Sequence, residues 1–204
     1  MPTKNRVKTY IPDAYYHVYS RGVNKRVIFI DDSDYSVFLN LLKRYLSKEV
    51  SKDRYKRVYE NMSNKVEVLA YCLMPNHFHL LLYQKSEQGM PDLLQRILTS
   101  YSMYFNKKYR RSGQLFQDAY KAKHISSDEY LEHISRYIHL NHSNWRRWGF
   151  SSLGCYLNEK QVDWLSPESI LGLFKDKNDY LDFVSDYVDY KNSLDTIKAE
   201  LADR

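Results

Sequence analysis

The 204-residue sequence is short of the residues that build several protein classes. Two cysteines, Cys72 and Cys155, are too few for a disulfide framework or a cysteine-rich metal cluster. Six glycines and five prolines, with no low-complexity block, exclude collagen-like and disordered chains. No apolar run approaches the roughly 20 residues of a membrane span. The basic start Lys4, Arg6, Lys8 has no apolar stretch behind it, so a secretory leader is not expected. With 43% hydrophobic and 27% charged residues, the expectation is a cytoplasmic globular protein that does not engage a membrane.

Two things are abundant. Lys and Arg number 31 against 25 Asp and Glu, and 20 residues are tyrosine. Cations meet phosphates and aromatic rings stack on unpaired bases, so this composition suits nucleic acid. It equally suits a basic protein that uses Tyr in its core. The charge is uneven. Residues 159–204 carry 11 acids and 6 bases, net −5, which leaves 25 bases and 14 acids, net +11, for residues 1–158. The basic part contains the clusters Lys43–Arg57, Lys107–Lys108 with Arg110–Arg111, and Arg146–Arg147. Two units follow: a basic domain over 1–158 and an acidic helical extension over 159–204, with Leu181, Val184 and Val188 at near-helical spacing.

The patterning predicts seven elements. Tyr15–Ser20 reads as a strand. Asp32 or Ser33 caps a helix with Tyr35, Phe38, Leu39, Leu42, Tyr45 and Leu46 on one face. Val66–Leu73 and His77–Tyr83 are strands joined by so short a link, Pro75–Asn76, that they form an antiparallel hairpin. A helix spans about 91–109, Phe116–Ile125 is a fourth strand, and Ser126 with Glu129 opens a helix that runs to Leu140. The order β-α-β-β-α-β-α predicts an α+β fold: a ferredoxin-like, RRM-like antiparallel four-stranded sheet with helices on one face, followed by a further helix and the C-terminal extension. That arrangement leaves the second sheet face free, the face RRM modules use.

Two local patterns carry chemistry. In Asn76-His77-Phe78-His79-Leu80, strand alternation sends His77 and His79 to one face about 7 Å apart, where they can converge on a divalent cation. Taken alone, His-x-His is more often a pair of solvent-facing histidines, and a structural zinc site is disfavoured because no Cys or carboxylate stands close in sequence. On the last helix Tyr137 and Asn141 stack i to i+4 beside the apolar stripe of Leu131, Ile134 and Ile138. Asn141 can supply the oxygen that a two-histidine site needs, and Tyr137 a nucleophile. A phenol is weakly nucleophilic at neutral pH unless activated, and a divalent metal held by two His and an amide oxygen can polarise the phosphodiester under attack and stabilise charge developing in the transition state.

Tyr71–Leu82 (YCLMPNHFHLLL), Ser112–Lys121 (SGQLFQDAYK), Tyr137–Asn141 (YIHLN), Tyr16–Gly22, Ser151–Leu157 and Trp164–Phe174 together resemble the HUH single-tyrosine transposases. Within them the sequence is most similar to the branch associated with repetitive extragenic palindromes. The resemblance covers about residues 10–175. It implies a Mg²⁺- or Mn²⁺-dependent endonuclease and strand transferase, cleaving single-stranded DNA near hairpins through a covalent 5′-phosphotyrosine. By position, Tyr137 would be the nucleophile, with His77, His79 and Asn141 as metal ligands. Many relatives carry Gln where Asn141 stands, one methylene longer. The branch often reads Asn-Pro after the tyrosine, where this sequence has Asn141-His142.

Phosphate contacts are expected from Arg21, Asn24, Lys25 and Arg26 after the first strand, and from Lys107, Lys108, Arg110, Arg111 and Lys121. His17 shares a strand face with Tyr19 and is left outside the catalytic set. The partner is single-stranded DNA with hairpin or palindromic elements, and a monomer and a homodimer are both compatible with the sequence. The competing reading is a domesticated single-stranded nucleic-acid-binding protein of the same fold without turnover. A two-histidine phosphodiesterase would need a hydroxyl residue two places after each His, where His79 and Leu81 stand instead.

Overall fold

Strand β1 (Ala14–Arg21) is the pairing partner of two others and so the organiser of the sheet. The computed structural model describes residues 10–49, 51–52, 55–56 and 58–186. After β1 come α1 (Asp32–Leu46), β2 (Val66–Met74), β3 (His77–Gln84), α2 (Gly89–Lys108), β4 (Lys121–Ile125) and α3 (Asp128–His139), then the short α4 (Leu153–Tyr156), α5 (Glu168–Leu171) and α6 (Lys177–Ser185). The strands form one antiparallel sheet in the order β2-β3-β1-β4. This is the ferredoxin-like arrangement, in which each β-α-β crossing places its helix on the same sheet face.

Alternation along the strands splits the core in two. Val18, Phe78, Leu80 and Leu82 face α1 and α2, where Phe78 lies 5.1 Å from the Phe38 ring. Leu69, Ala70, Cys72 and Leu81 face the other way and pack against Leu131, Ile134 and Ile138 of α3. A bulge between Val68 and Ala70 in β2 brings Leu69 and Ala70 to this second core together. The second sheet face, expected to be free, is therefore covered over β2 and β3. The near-continuous apolar run of β2 and the apolar stripe of α3 are the physical reason: each needs a partner, and each fully buried large apolar side chain contributes about 1.5–3 kcal/mol.

Local signals settle the element ends. Asp31 caps α1, its carboxylate accepting from the Asp34 N–H while Asp34 accepts from the Asp31 N–H. Ser127, one residue after the expected Ser126, caps α3. Strand β4 is half the expected length: Phe116 makes only an isolated bridge to Gly22, where the Leu115 carbonyl accepts from Val23 N–H and the Gln117 N–H donates to the Arg21 carbonyl at the end of β1. Leu181 and Val184 lie on α6, and the Tyr180 and Val184 side chains are buried beneath α3. Val188, Arg54, Arg57 and the N-terminal Lys4, Arg6 and Lys8 lie outside the described residues.

Candidate active site

Because Phe78 points to the α1/α2 core, its neighbours His77 and His79 face α3. Cross-strand register extends this row by row. Arg21 stands beside His77. Tyr19 stands beside His79, with Lys121 beyond it. His17 stands beside Leu81, with Lys123 beyond it. The His77 and His79 rings are 5.0 Å apart and perpendicular. His17 stacks on His79 at 5.1 Å, its Nε2 2.9 Å from His79 Nδ1. Tyr19 stacks on the same ring at 5.8 Å.

Helix α3 lowers Tyr137 onto this cluster. Its ring meets His79 edge-on at 5.3 Å and His17 at 5.8 Å. Asn141 follows the helix, its N–H bonded to the Ile138 carbonyl, and its Oδ1 lies 3.0 Å from His77 Nε2. The fold thus brings together His77, His79, Tyr137 and Asn141 within a single chain.

Burial sets the protonation of the group. It is the largest cause that lowers the basicity of all three histidines, and for His17, at about 3, Lys123 adds to it. For His79 the neighbouring His17 and His77 act in the same direction, while the Asn141 contact opposes the shift at His77. All three rings are therefore neutral near pH 7, the form that ligates a cation. Burial raises the Tyr137 phenol above its ordinary value, and the Asn141 side chain only partly offsets this. The phenol by itself is a poor nucleophile.

The donor set suits a hard divalent cation with mixed nitrogen and oxygen ligation. Among the described residues no three His, Cys, Asp or Glu side chains form a metal-holding cluster, and the oxygen nearest His77 Nε2 that could complete a set with the two histidines is the Asn141 amide Oδ1. His77 Nε2 and Asn141 Oδ1 lie 3.0 Å apart, and adjacent ligands of an octahedral Mg²⁺ at its usual bond length are separated by about 3 Å. The residues present fit such an ion.

The expected phosphate-binding residues fall into distinct settings. Arg21, Asn24, Lys25 and Arg26 are exposed on the segment leaving β1, and Arg21 Nη2 donates to Gln117. This segment turns sharply, with Asn24 and Lys25 at φ 54° and 59°, and a Cβ at Gly22 would lie 2.3 Å from the Arg26 carbonyl oxygen. Lys121 is exposed on the same face as His79. Lys107 and Arg110 are exposed at the end of α2. Arg111 donates to Asn106 and to the Gln114 carbonyl, and feels the charge of Arg26. Lys108 donates to both Asp31 and Asp34, so its charge is largely neutralised inside the protein.

Three residues at the site were given no role in it by sequence reasoning, although His17 was noted on the Tyr19 strand face. His17 is a lone histidine in a strand, placed against His79 only by the β1/β3 register. Lys123, whose ammonium sits 5.3 Å from the Tyr130 ring, joins the face by the same register. Asn76 reads as a turn residue, yet its Oδ1 is 2.6 Å from His77 Nδ1.

The family model described as "Transposase IS200 like" matches residues 37–141, just over half of the chain. The chain belongs to the IS200-like transposase family. The matched segment of this transposase-family protein runs from α1 to Asn141 and so contains His77, His79, Tyr137 and Asn141. Among solved structures it is similar to a REP-associated tyrosine transposase bound to a REP hairpin, with 13% identity and a TM-score of 0.57, covering 80% of this chain and 92% of that one. It also matches a protein from Deinococcus radiodurans R1 assigned as a transposase, with 18% identity and a TM-score of 0.40 over 69% of this chain and 98% of that one. The first likeness establishes a shared fold. No curated protein matches the chain. Among the described residues no helix is long and apolar enough to cross a membrane. Membership of the family makes this a DNA-processing enzyme.

Proposed function

We propose that this family member is a Mg²⁺- or Mn²⁺-dependent endonuclease and strand transferase for single-stranded DNA, with Tyr137 as nucleophile. The carrying observation is the convergence of His77, His79 and Asn141, with the Tyr137 ring 5.3 Å from His79. His77 and His79 through Nε2, and Asn141 through Oδ1, would hold the cation. When bound, it supplies Lewis-acid polarisation of the scissile phosphate and electrostatic stabilisation of the transition state.

The chain's own residues do the rest. Helix α3 holds the phenol against the histidines, with Asn141 one turn further along the same helix end. Tyr137 Oη attacks phosphorus, the bond to the 3′ oxygen breaks, and the proton leaving the phenol balances the one gained by the 3′-hydroxyl. The product is a 5′-phosphotyrosine. It conserves the phosphodiester, so attack by another 3′-hydroxyl rejoins a strand without ATP. Arg21 and Lys121 border the site and would take the flanking phosphates, and the hairpin is the structural element expected in the substrate.

We assign catalysis to residues 1–158, with 159–204 as an acidic extension whose α5 and α6 pack behind α3. Incubation with hairpin-bearing single-stranded DNA and Mn²⁺ should yield a covalent protein–DNA adduct that EDTA prevents. An undiminished adduct from Tyr137→Phe, or none from the wild-type chain on any palindromic substrate, contradicts the proposal. In the second case, retained binding would leave the non-catalytic reading.

A further inference from the structure

A histidine can ligate a cation through Nε2 only if its proton is on Nδ1, and an isolated imidazole has no strong reason to choose. In the turn between β2 and β3, Asn76 makes the choice for His77. Its amide has a fixed sense, because Nδ2 donates to the Lys25 carbonyl at 3.3 Å. That turns Oδ1 toward His77 Nδ1, 2.6 Å away. An amide oxygen has no proton to give, so Nδ1 must be the donor. The neutral ring then carries a lone pair on Nε2, and that lone pair faces Asn141 Oδ1, itself an acceptor, at 3.0 Å. Two acceptors at this distance repel, and a cation between their lone pairs removes the conflict.

The turn itself is held rigidly. The Pro75 carbonyl accepts from Ile28 N–H at 2.7 Å and Phe29 N–H at 3.0 Å, and the Asn76 carbonyl accepts from Gly22 N–H at 2.9 Å. These bonds flank the exposed basic segment on both sides. The Asn76 side chain therefore touches the segment carrying Arg21, Asn24, Lys25 and Arg26 with one end and His77 with the other.

We propose that Asn76 is a positioning residue: it locks His77 in the Nδ1–H tautomer and so presents Nε2, paired with Asn141 Oδ1, as a preformed half of the cation site. The metal-binding part of this inference rests on the function proposed above. The tautomer part does not.

The test has two readouts, neither of them turnover. Long-range ¹H–¹⁵N correlation spectra of the metal-free wild-type protein should show His77 with Nδ1 protonated and Nε2 bare. A His77 protonated on Nε2 overturns the proposal, and this measurement needs no variant to fold. Calorimetric titration with Mn²⁺ should show Asn76→Ala binding about 10–100-fold more weakly than wild type, the usual cost of removing a partner that orients a ligand. Asn76→Asp keeps an acceptor at Nδ1 and should stay within a few-fold of wild type. Equal Mn²⁺ affinity for Asn76→Ala and wild type, with far-ultraviolet circular dichroism showing both folded, overturns the proposal. Wild-type protein with the expected tautomer that takes up no Mn²⁺ contradicts the metal reading and upholds the tautomer assignment.

Discussion

Helix α3 lies between two polar clusters whose hydrogen bonding differs. Behind the helix, His139 belongs to a directed chain of hydrogen bonds. The Tyr71 N–H donates to Ser152 Oγ, Ser152 pairs with His139 Nε2 at 2.7 Å, His139 Nδ1 pairs with the Tyr180 hydroxyl at 2.6 Å, Tyr180 donates to Ser135, and Ser135 donates to the Glu132 carbonyl. One assignment of protons satisfies every member. In front of the helix, His17, His79, His77 and Asn141 admit no such assignment. His17 Nδ1 is buried without a partner, and His77 Nε2 faces an amide oxygen. The two clusters share residue type, His17 and His79 are as buried as His139 while His77 and Asn141 are half-buried, and both clusters hold histidines neutral. What separates them is saturation. A satisfied buried network rigidifies a fold, whereas an unsatisfied one is a cost that persists where a ligand repays it.

Substitutions should therefore sort by cluster. The largest effect on chemistry belongs to Tyr137→Phe, which should lower adduct formation by about 10³-fold or more while leaving the denaturation midpoint almost unchanged. Gel analysis of labelled hairpin DNA gives the first, and urea titration the second. The largest effect on stability belongs to the rear cluster. His139→Ala strands Tyr180 and Ser152 and opens a cavity, a loss of about 2–4 kcal/mol. His77→Ala removes one side of an acceptor–acceptor contact and should cost less than about 1 kcal/mol in the same titration. Equal losses would erase the distinction drawn between the clusters.

The rear cluster also predicts a pH dependence. Burial lowers the folded pKa of His139 from its ordinary 6.5 to about 3. Between those values the unfolded chain holds a proton that the folded chain does not, so stability is full above about pH 6.5 and falls as pH drops. The fall is up to about 1.4 kcal/mol per pH unit for such a group, and urea midpoints at pH 7 and pH 5 should show a smaller drop in His139→Gln. The smallest effect is expected at the rim. Lys121→Ala should weaken single-stranded DNA binding modestly and reduce the salt slope of log K by about 0.7. An unchanged slope would move Lys121 off the DNA path.

Sequence made the chain order of the elements legible because each has its own period and punctuation, and the hairpin is pinned by Pro75–Asn76. His77, His79, Tyr137 and Asn141 were legible because strand alternation and the helical turn are short-range rules. What sequence left hidden is long-range. Register places His17 against His79 over a separation of 62 residues. The covering of the second sheet face depends on α3 folding back over β2 and β3. Asn76 looks like a turn residue until the Lys25 carbonyl fixes the sense of its amide. Ser152 and Tyr180 engage His139 from 13 and 41 residues away, pairings that no short-range rule could have read.

The central claim is that the front cluster is unsatisfied because it is built for a divalent cation. Calorimetric titration of the wild-type chain with Mn²⁺ tests it most directly, alongside the His77→Ala/His79→Ala double variant and His139→Gln. One site should be seen in the wild-type chain and in His139→Gln, and none in the double variant. No binding by the wild-type chain, or equal binding by the double variant, would contradict it.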